Sequence, residues 1–336
     1  MFITKGHTRY IASVGELKRK DNSIVFRNEK GNMYIPINGV RELICLNEVS
    51  LNTKFLDFVS KAGITIHFFN YYGHYSGSFY PRENLISGNL TVKQAKSYID
   101  NRKDIAKQIV QGIAINIHEV LYHYYKHGKK QIKPILDWLK RDIPILLLKD
   151  VEIKQILFIE GQIWQKFYQS FKYFLPEGFI MNKRVKRPPD NPINALISFG
   201  NSLLYAKTIS QLYHTHLNQS ISYLHEPSEG RFSLSLDLSE VFKPIIVYKT
   251  IFDIVNNRKI QVEKHFDKKL NYCILKDTGK RIFCESFEER INRVFLHKAL
   301  NRKTTYLTAI KLDGYKLIKY LIEYKEFRPF NLKELM

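Results

Sequence analysis

Glu160, His225, Asp237 and Glu240 are the side chains whose types and spacing can do chemistry. Glu160 stands among Ile153, Ile156, Trp164, Phe167 and Phe171, which recur by threes and fours and share one face of a helix. Its carboxylate falls on that apolar stripe, where an unpaired charge is costly to bury. Either a buried ion pair or hydrogen bond answers it, or a metal ion does. Asp237 and Glu240 lie three apart in a second helical pattern, whose apolar face is Leu234, Leu238, Val241 and Ile245. Carboxylates at that spacing are neighbours and repel unless a cation lies between them. His225 precedes this helix in a loop punctuated by Pro227 and Gly230, from which an imidazole can reach the same point. A lone loop histidine beside Glu226 is more often an ordinary surface residue, and the Glu160 anomaly and the Asp237/Glu240 pair together raise the metal reading above that one. Carboxylates with one imidazole, lacking thiolates and a second close histidine, suit Mg²⁺ or Mn²⁺ better than zinc. Spacing alone does not show that the two helices meet.

The elements that must position these groups follow from hydrophobic periodicity. From Phe2 to about Tyr80 the runs are short, β-branched and aromatic, with breaks at Lys20-Asp21-Asn22, Lys30-Gly31-Asn32 and Asn38-Gly39. They predict strands at Arg9–Val14, Glu16–Lys20, Ser23–Asn28, Asn32–Pro36, Glu42–Cys45 and Ile64–Phe69. One helix near Thr53–Ala62 and a hairpin across Tyr72–Tyr75 complete a small, mostly β domain. Beyond Pro81 the texture is helical, first without strong breaks from Thr91 to His127. Further helices are predicted at about Pro134–Arg141, Lys149–Phe174, Pro192–Asn218, Ser233–Asn256, Phe287–Leu300 and Thr304–Lys325. Asn191 is the expected N-cap before Pro192, and one hairpin is expected at Asn271–Phe283 around Thr278-Gly279. The fold class is α+β, divided into residues 1–85 and a larger helical domain over 86–336.

Against 53 Lys and Arg stand 32 Asp and Glu, a formal charge of +21 that points to a polyanion partner. The densest basic cluster, Lys183, Arg184, Lys186 and Arg187, precedes the helix start at Pro192, a natural place for phosphate. Each such cluster taken singly is also readable as a solvated loop, but others recur around Lys126–Lys133, Lys298–Lys303 and Lys311–Lys319. No motif for reading bases frames the aromatics, so phosphate contact and shape are expected to dominate. Tyr122, Tyr124, Tyr125 and the Phe69–Tyr72 run are expected in the core or interfaces. Three cysteines without a C-x-x-C pair argue against a disulfide framework and a cysteine zinc site. With no apolar run of about 18 residues, neither a signal peptide nor a membrane span is expected, and the expected compartment is the cytoplasm.

At these residues the sequence resembles a known family, the CRISPR-associated endonuclease/integrase of spacer acquisition, first-numbered of the Cas series, and most closely its type I-B form. The resemblance covers nearly the whole chain. It rests above all on R-P-P-D-N-P-I-N-A-L-I-S-F-G-N-S-L-L from Arg187 and on the segment from His225 to Pro244. N-Y-Y-G-H-Y-S-G-S-F-Y-P from Asn70, E-G at Glu160 and Y-K-L-I-K near the C-terminus carry it further. The resemblance implies an N-terminal β-sandwich that dimerises, an all-α catalytic domain, and a homodimer. Two such dimers would bridge a dimer of the small ferredoxin-like second adaptation protein. It also implies that Glu160, His225 and Glu240 ligate Mg²⁺ or Mn²⁺, that Asp237 supports them, and that Lys243 lies near the scissile phosphate. Lys183, Arg184, Lys186, Arg187 and Arg231 are the expected DNA contacts. Two positions depart from the family pattern: Glu240, where many relatives have Asp, and Gly230, where a basic residue is common.

The implied activity is metal-assisted phosphodiester transfer in which the substrate brings the nucleophile: a DNA 3′-OH for integration, water for cleavage of branched DNA. Two other readings stand beside it. One is a repair nuclease acting alone on branched DNA or RNA; the other is a nucleic-acid scaffold whose carboxylates are structural ion pairs.

Overall fold

β-Branched runs separated by tight turns build sheets over the first eighty residues, and long amphipathic runs build helices after them. The computed structural model describes residues 2–3, 7–81, 85–269, 272–323 and 325–334. The strands are β1 (Phe2–Ile3), β2 (Thr8–Ile11), β3 (Gly15–Lys20), β4 (Ser23–Asn28), β5 (Gly31–Pro36), β6 (Glu42–Cys45) and β7 (Val49–Leu51). Helix α1 (Thr53–Lys61) and strands β8 (Thr65–Phe69) and β9 (Tyr75–Phe79) follow. One sheet has the order β1-β2-β6-β8-β9 and the other β5-β4-β3-β7. Ile11, Leu43 and Ile66 from the first sheet, Leu17, Phe26 and Ile35 from the second, and Phe55 and Val59 of α1 share one buried core. The expected strands and the α1 helix lie where the alternation places them. At the β8–β9 turn, Gly73 adopts φ +78° and the Asn70 side chain accepts from the His74 amide at 3.0 Å.

The helices are α2 (Gly88–Asp100), α3 (Arg102–Lys126), α4 (Lys133–Asp137), α5 (Ile143–Leu148), α6 (Ile153–Gln169), α7 (Pro192–Tyr213), α8 (Ser233–Lys243) and α9 (Lys249–Asn256). Then come α10 (Val262–His265), β10 (Phe266–Lys268), β11 (Cys273–Leu275), α11 (Asp277–Ile291), β12 (Val294–His297), β13 (Arg302–Thr305) and α12 (Tyr306–Glu323). Asn191 caps α7 as expected, its Oδ1 accepting from the Asn194 amide at 2.9 Å. The stretch read as one helix up to His127 breaks at Asn101 between α2 and α3.

The chain folds into two compact units. The first takes Met1–Asn84, Val185–Ala206 and Lys259–Glu289; the second takes Leu85–Arg184, Lys207–Arg258 and Arg290–Met336. In the first unit Tyr10 donates to Glu288 at 2.7 Å, both buried, and Phe199 meets Phe283 at 5.4 Å between ring centres. In the second, α3 runs beside both α6 and α8.

Two local expectations fail. The hairpin expected at Asn271–Phe283 is formed one segment earlier by β10 and β11, with Lys268 opposite Cys273, while Asn271 lies outside the described residues. Thr278 and Gly279 lie in the first turn of α11, where a Cβ on Gly279 would stand 2.7 Å from the His265 carbonyl oxygen. The glycine serves close packing there, a role that a turn signal imitates. The helix expected over Phe287–Leu300 ends at Ile291, and β12 pairs with β13, Val294 opposite Thr305. Asn301 supplies the left-handed residue of that turn at φ +45°, and Thr304 and Thr305 favour the strand over the helix read from apolar spacing.

Candidate metal centre

Aromatic packing brings the two acidic helices together. Pro244 has no N–H to continue the α8 ladder, and the backbone widens into a π-turn over Pro244–Tyr248 before α9. Tyr248 then packs against Trp164 and Phe167 of α6, with ring centres 5.5 and 5.0 Å apart, and Phe252 packs against Phe171 at 5.1 Å. The Tyr168 and Tyr248 hydroxyls meet at 2.8 Å. Burial pushes the Tyr168 phenol up to about 12. Each buried ring contributes roughly 1.5–3 kcal/mol to holding α6 against the α8–α9 rod.

That packing places Glu160 within electrostatic reach of Glu240, His225 and Lys243. Burial and then the Glu240 charge push the half-buried Glu160 carboxyl from 4.5 to about 7, against the pull of His225, Lys243 and a hydrogen bond from Trp164. Glu240 and Lys243 are themselves buried and joined in an ion pair. The stripe of α6 thus carries a carboxylate beside a second carboxylate, whose charge raises the free energy of ionising Glu160.

His225 lies in the loop between α7 and α8, and Asp237 holds it there. One Asp237 oxygen accepts from the amides of Tyr223 at 2.7 Å and Leu224 at 2.8 Å. The other accepts from the His225 amide at 3.0 Å and stands 2.8 Å from its Nδ1. Asp237 is fully buried. Its lone pairs are spent on the loop and the ring, so it orients His225 and leaves Nε2 for other partners, an arrangement typical of metal-binding histidines. Burial lowers the His225 imidazole, but the Asp237 hydrogen bond and the charges of Asp237, Glu240 and Glu160 outweigh it and raise the ring above its ordinary value.

The carboxylates of Glu160 and Glu240 and the free nitrogen of His225 are a hard, mostly oxygen donor set whose mutual repulsion a divalent cation would relieve. Among the described residues, no three His, Cys, Asp or Glu side chains are already closed to metal-ligand geometry. In this arrangement Lys243 neutralises Glu240.

The expected DNA-contact residues fall in different places. Arg184 lies in the second unit, and its charge reaches the Tyr168 and Tyr248 hydroxyls. Lys183 precedes it in the same segment, whereas Lys186 and Arg187 belong to the first unit. Arg231 is exposed, but its guanidinium donates to the Glu226 carbonyl at 2.8 Å and to Ser233 Oγ at 3.3 Å, shaping the loop ahead of α8. Gly230 adopts φ +71°, a left-handed turn that a basic side chain would strain. Sequence reasoning missed Tyr168, Tyr248 and Arg102. Tyr168 and Tyr248 lie in apolar patterns that give no hint of paired hydroxyls, and Arg102 sits at the start of an amphipathic helix with no spacing signal.

Comparison with known proteins places the chain in a family. The model of the family "CRISPR associated protein Cas1" matches residues 9–289. A CRISPR-associated endonuclease Cas1 of Thermodesulfovibrio yellowstonii is 44% identical over 326 residues, covering 96% of this chain and 97% of the relative. The solved structure of a Cas1 protein from Thermotoga maritima superposes with a TM-score of 0.82 at 38% identity, covering 95% of this chain and 98% of that one. At the level of fold alone, a chain of a Cas6-RT-Cas1–Cas2 complex matches with a TM-score of 0.83 at 18% identity, over 99% of this chain and 37% of that chain. With its family model, a full-length relative and its fold in agreement, the chain belongs to the CRISPR-associated Cas1 family, the endonuclease/integrases of spacer acquisition.

Proposed function

We propose that Glu160, His225 and Glu240 hold Mg²⁺ or Mn²⁺, with Asp237 as the group that orients His225. The observation that carries this reading is the His225 ring held through Nδ1 by Asp237 beside two mutually repelling carboxylates. A bound divalent ion supplies Lewis-acid polarisation of the scissile phosphate and charge for the pentavalent transition state. The protein's own part is positioning. Glu160 is held on the α6 stripe by Trp164 and the Tyr248 packing, and Asp237 fixes the ring and the loop. Lys243 carries a positive charge at Glu240 that is available to a phosphate oxygen. No Ser, Cys or His nucleophile is needed, since the attacking 3′-OH or water comes with the substrate.

The proposal extends to the assembly. Residues 1–85 supply the dimerising β-sandwich and 86–336 the catalytic, DNA-binding domain, although the segments 185–206 and 259–289 of the latter pack in the same compact unit as the former. The chain forms a homodimer that joins the small ferredoxin-like second adaptation protein on double-stranded and branched DNA and the CRISPR repeat, in the cytoplasm. Among the described residues no helix is long and apolar enough to cross a membrane. Lys183, Arg184, Lys186, Arg187 and Arg231 contact the DNA backbone, and the blocks from Arg187 and from His225 support the type I-B form.

The test is a joining assay with a short duplex bearing 3′-OH ends and a supercoiled repeat plasmid in Mg²⁺ or Mn²⁺, with and without the small partner. Wild type is expected to join ends, and His225→Ala to bind DNA without joining it. Cutting of branched DNA without any joining would favour a stand-alone repair nuclease. Equal behaviour of His225→Ala and wild type would favour the non-catalytic scaffold.

A further inference from the structure

Asp237 holds the His225 loop from one side only. Its carboxylate takes the N–H groups of residues 223–225 and leaves their carbonyls to be satisfied elsewhere. Arg102 provides the opposite face. Its Nε donates to the Tyr223 carbonyl at 2.8 Å and its Nη2 to the Leu224 carbonyl at 3.4 Å. The same guanidinium pairs with Glu226 at 2.8 Å and donates to the Tyr98 hydroxyl at 2.8 Å, and that hydroxyl donates in turn to Glu226 at 3.1 Å. One planar cation therefore meets the residues immediately before and immediately after His225.

The position of Arg102 makes this costly to arrange by accident. It is the first residue of the 25-residue α3, where the helix dipole disfavours a cation. Its side chain is only 13% exposed, whereas its partner Glu226 is 64% exposed. A lysine cannot replace it, because only a planar fork reaches two carbonyls, a carboxylate and a hydroxyl together. Its partner Tyr98 stands four residues before it, with the guanidinium 4.7 Å from the ring centre. Gln94, one turn further back, exchanges hydrogen bonds of 3.1 and 2.8 Å with the backbone of Asn218, fixing the start of the same loop.

We infer that Arg102 is a positioning residue for His225, clamping the carbonyl side of the 223–226 loop against the amide side held by Asp237. This rests on the metal-centre reading above. Arg102 touches neither substrate nor ion, and acts by presenting the imidazole in one orientation. Removing it releases the Tyr223 and Leu224 carbonyls, while Ser222 Oγ still donates to the His225 carbonyl at 2.7 Å and Arg231 to the Glu226 carbonyl at 2.8 Å, so the two peptide planes ahead of His225 loosen and the ring loses its aim while the core of the unit stays packed.

The experiment compares Arg102→Ala and Arg102→Lys with wild type in three measurements: amide hydrogen exchange of residues 223–225 in metal-free protein, Mn²⁺ affinity by titration, and DNA affinity by gel shift. The expected result is unchanged cooperative melting and DNA affinity, faster exchange at those three amides, and Mn²⁺ binding and end joining weakened by about 10–100-fold. Arg102→Lys should behave like Arg102→Ala, and it decides the matter if the alanine variant does not fold. Protection of residues 223–225 equal to wild type overturns the inference. So does faster exchange with Mn²⁺ affinity and joining unchanged. His225→Ala runs alongside: if it binds Mn²⁺ as wild type does, the metal-centre reading fails, a result distinguishable from any change in exchange in the Arg102 variants.

Discussion

Replacing Asp237 by Asn preserves the shape of the side chain and removes the charge shared by three backbone amides and the His225 ring. One of its two accepting atoms becomes an NH₂ facing donors, so the loop loses hydrogen bonds on one side and the ring its orientation. Joining is expected to fall by about 10–100-fold with DNA binding retained, which rate assays and gel shifts on the same variant would check. Glu160 gives a pH signature. Its folded-state carboxyl lies at about 7, above the ordinary 4.5, so between those values the metal-free folded protein keeps a proton that the unfolded chain releases. Stability contributed by this group is therefore lost as pH rises through that window. Glu160→Gln should stabilise the metal-free protein more at about pH 8 than at about pH 5, by on the order of 1–2 kcal/mol after allowance for screening. Equal melting shifts at both values would remove the electrostatic account of the Glu160–Glu240 pair. The anomaly of Glu160 was legible in the sequence because a carboxylate broke an apolar period. The part played by Asp237 toward the 223–225 amides was not, because spacing along a helix says nothing about where a loop's N–H groups point.

At the scale of elements, the strands of the first eighty residues were legible because alternation and turn chemistry agree there. The segment from Asp277 to Thr305 was misread because Gly279 serves close packing against His265 and Asn301 supplies a left-handed turn that apolar spacing hides. Gly279→Ala would set a Cβ 2.7 Å from the His265 carbonyl oxygen, a backbone atom that cannot swing aside. The expected cost is about 1–3 kcal/mol, measured as a lower denaturation midpoint with an unchanged slope. A variant as stable as wild type would show that α11 can shift away from α10. The meeting of α6 with α8 was also beyond the sequence, since it depends on the π-turn after Pro244 that turns Tyr248 toward Trp164. Of the tyrosines expected in the core, Tyr124 stacks on Phe174 at 4.0 Å, whereas Tyr122 is exposed and lies under the Lys126 ammonium.

For the whole molecule, a charge of +21 makes DNA affinity a matter of counterion release. The logarithm of the binding constant should fall linearly and steeply with the logarithm of salt concentration. Arg184→Ala should lower that slope by about one, and His225→Ala should leave it unchanged. A slope unaffected by Arg184→Ala would take this residue out of the DNA path. The partner class was legible from composition, and the family from the blocks around Arg187 and His225, whereas the electrostatic proximity of Glu160 to His225 and Glu240 is set by the fold.

Whether His225 ligates the ion together with Glu160 and Glu240 is read from electron spin-echo spectroscopy of the Mn²⁺-loaded protein. Wild type should show modulation from one directly bound imidazole nitrogen, and His225→Ala should lose it. Absence of nitrogen coupling in wild type, or its persistence in His225→Ala, would contradict that ligation.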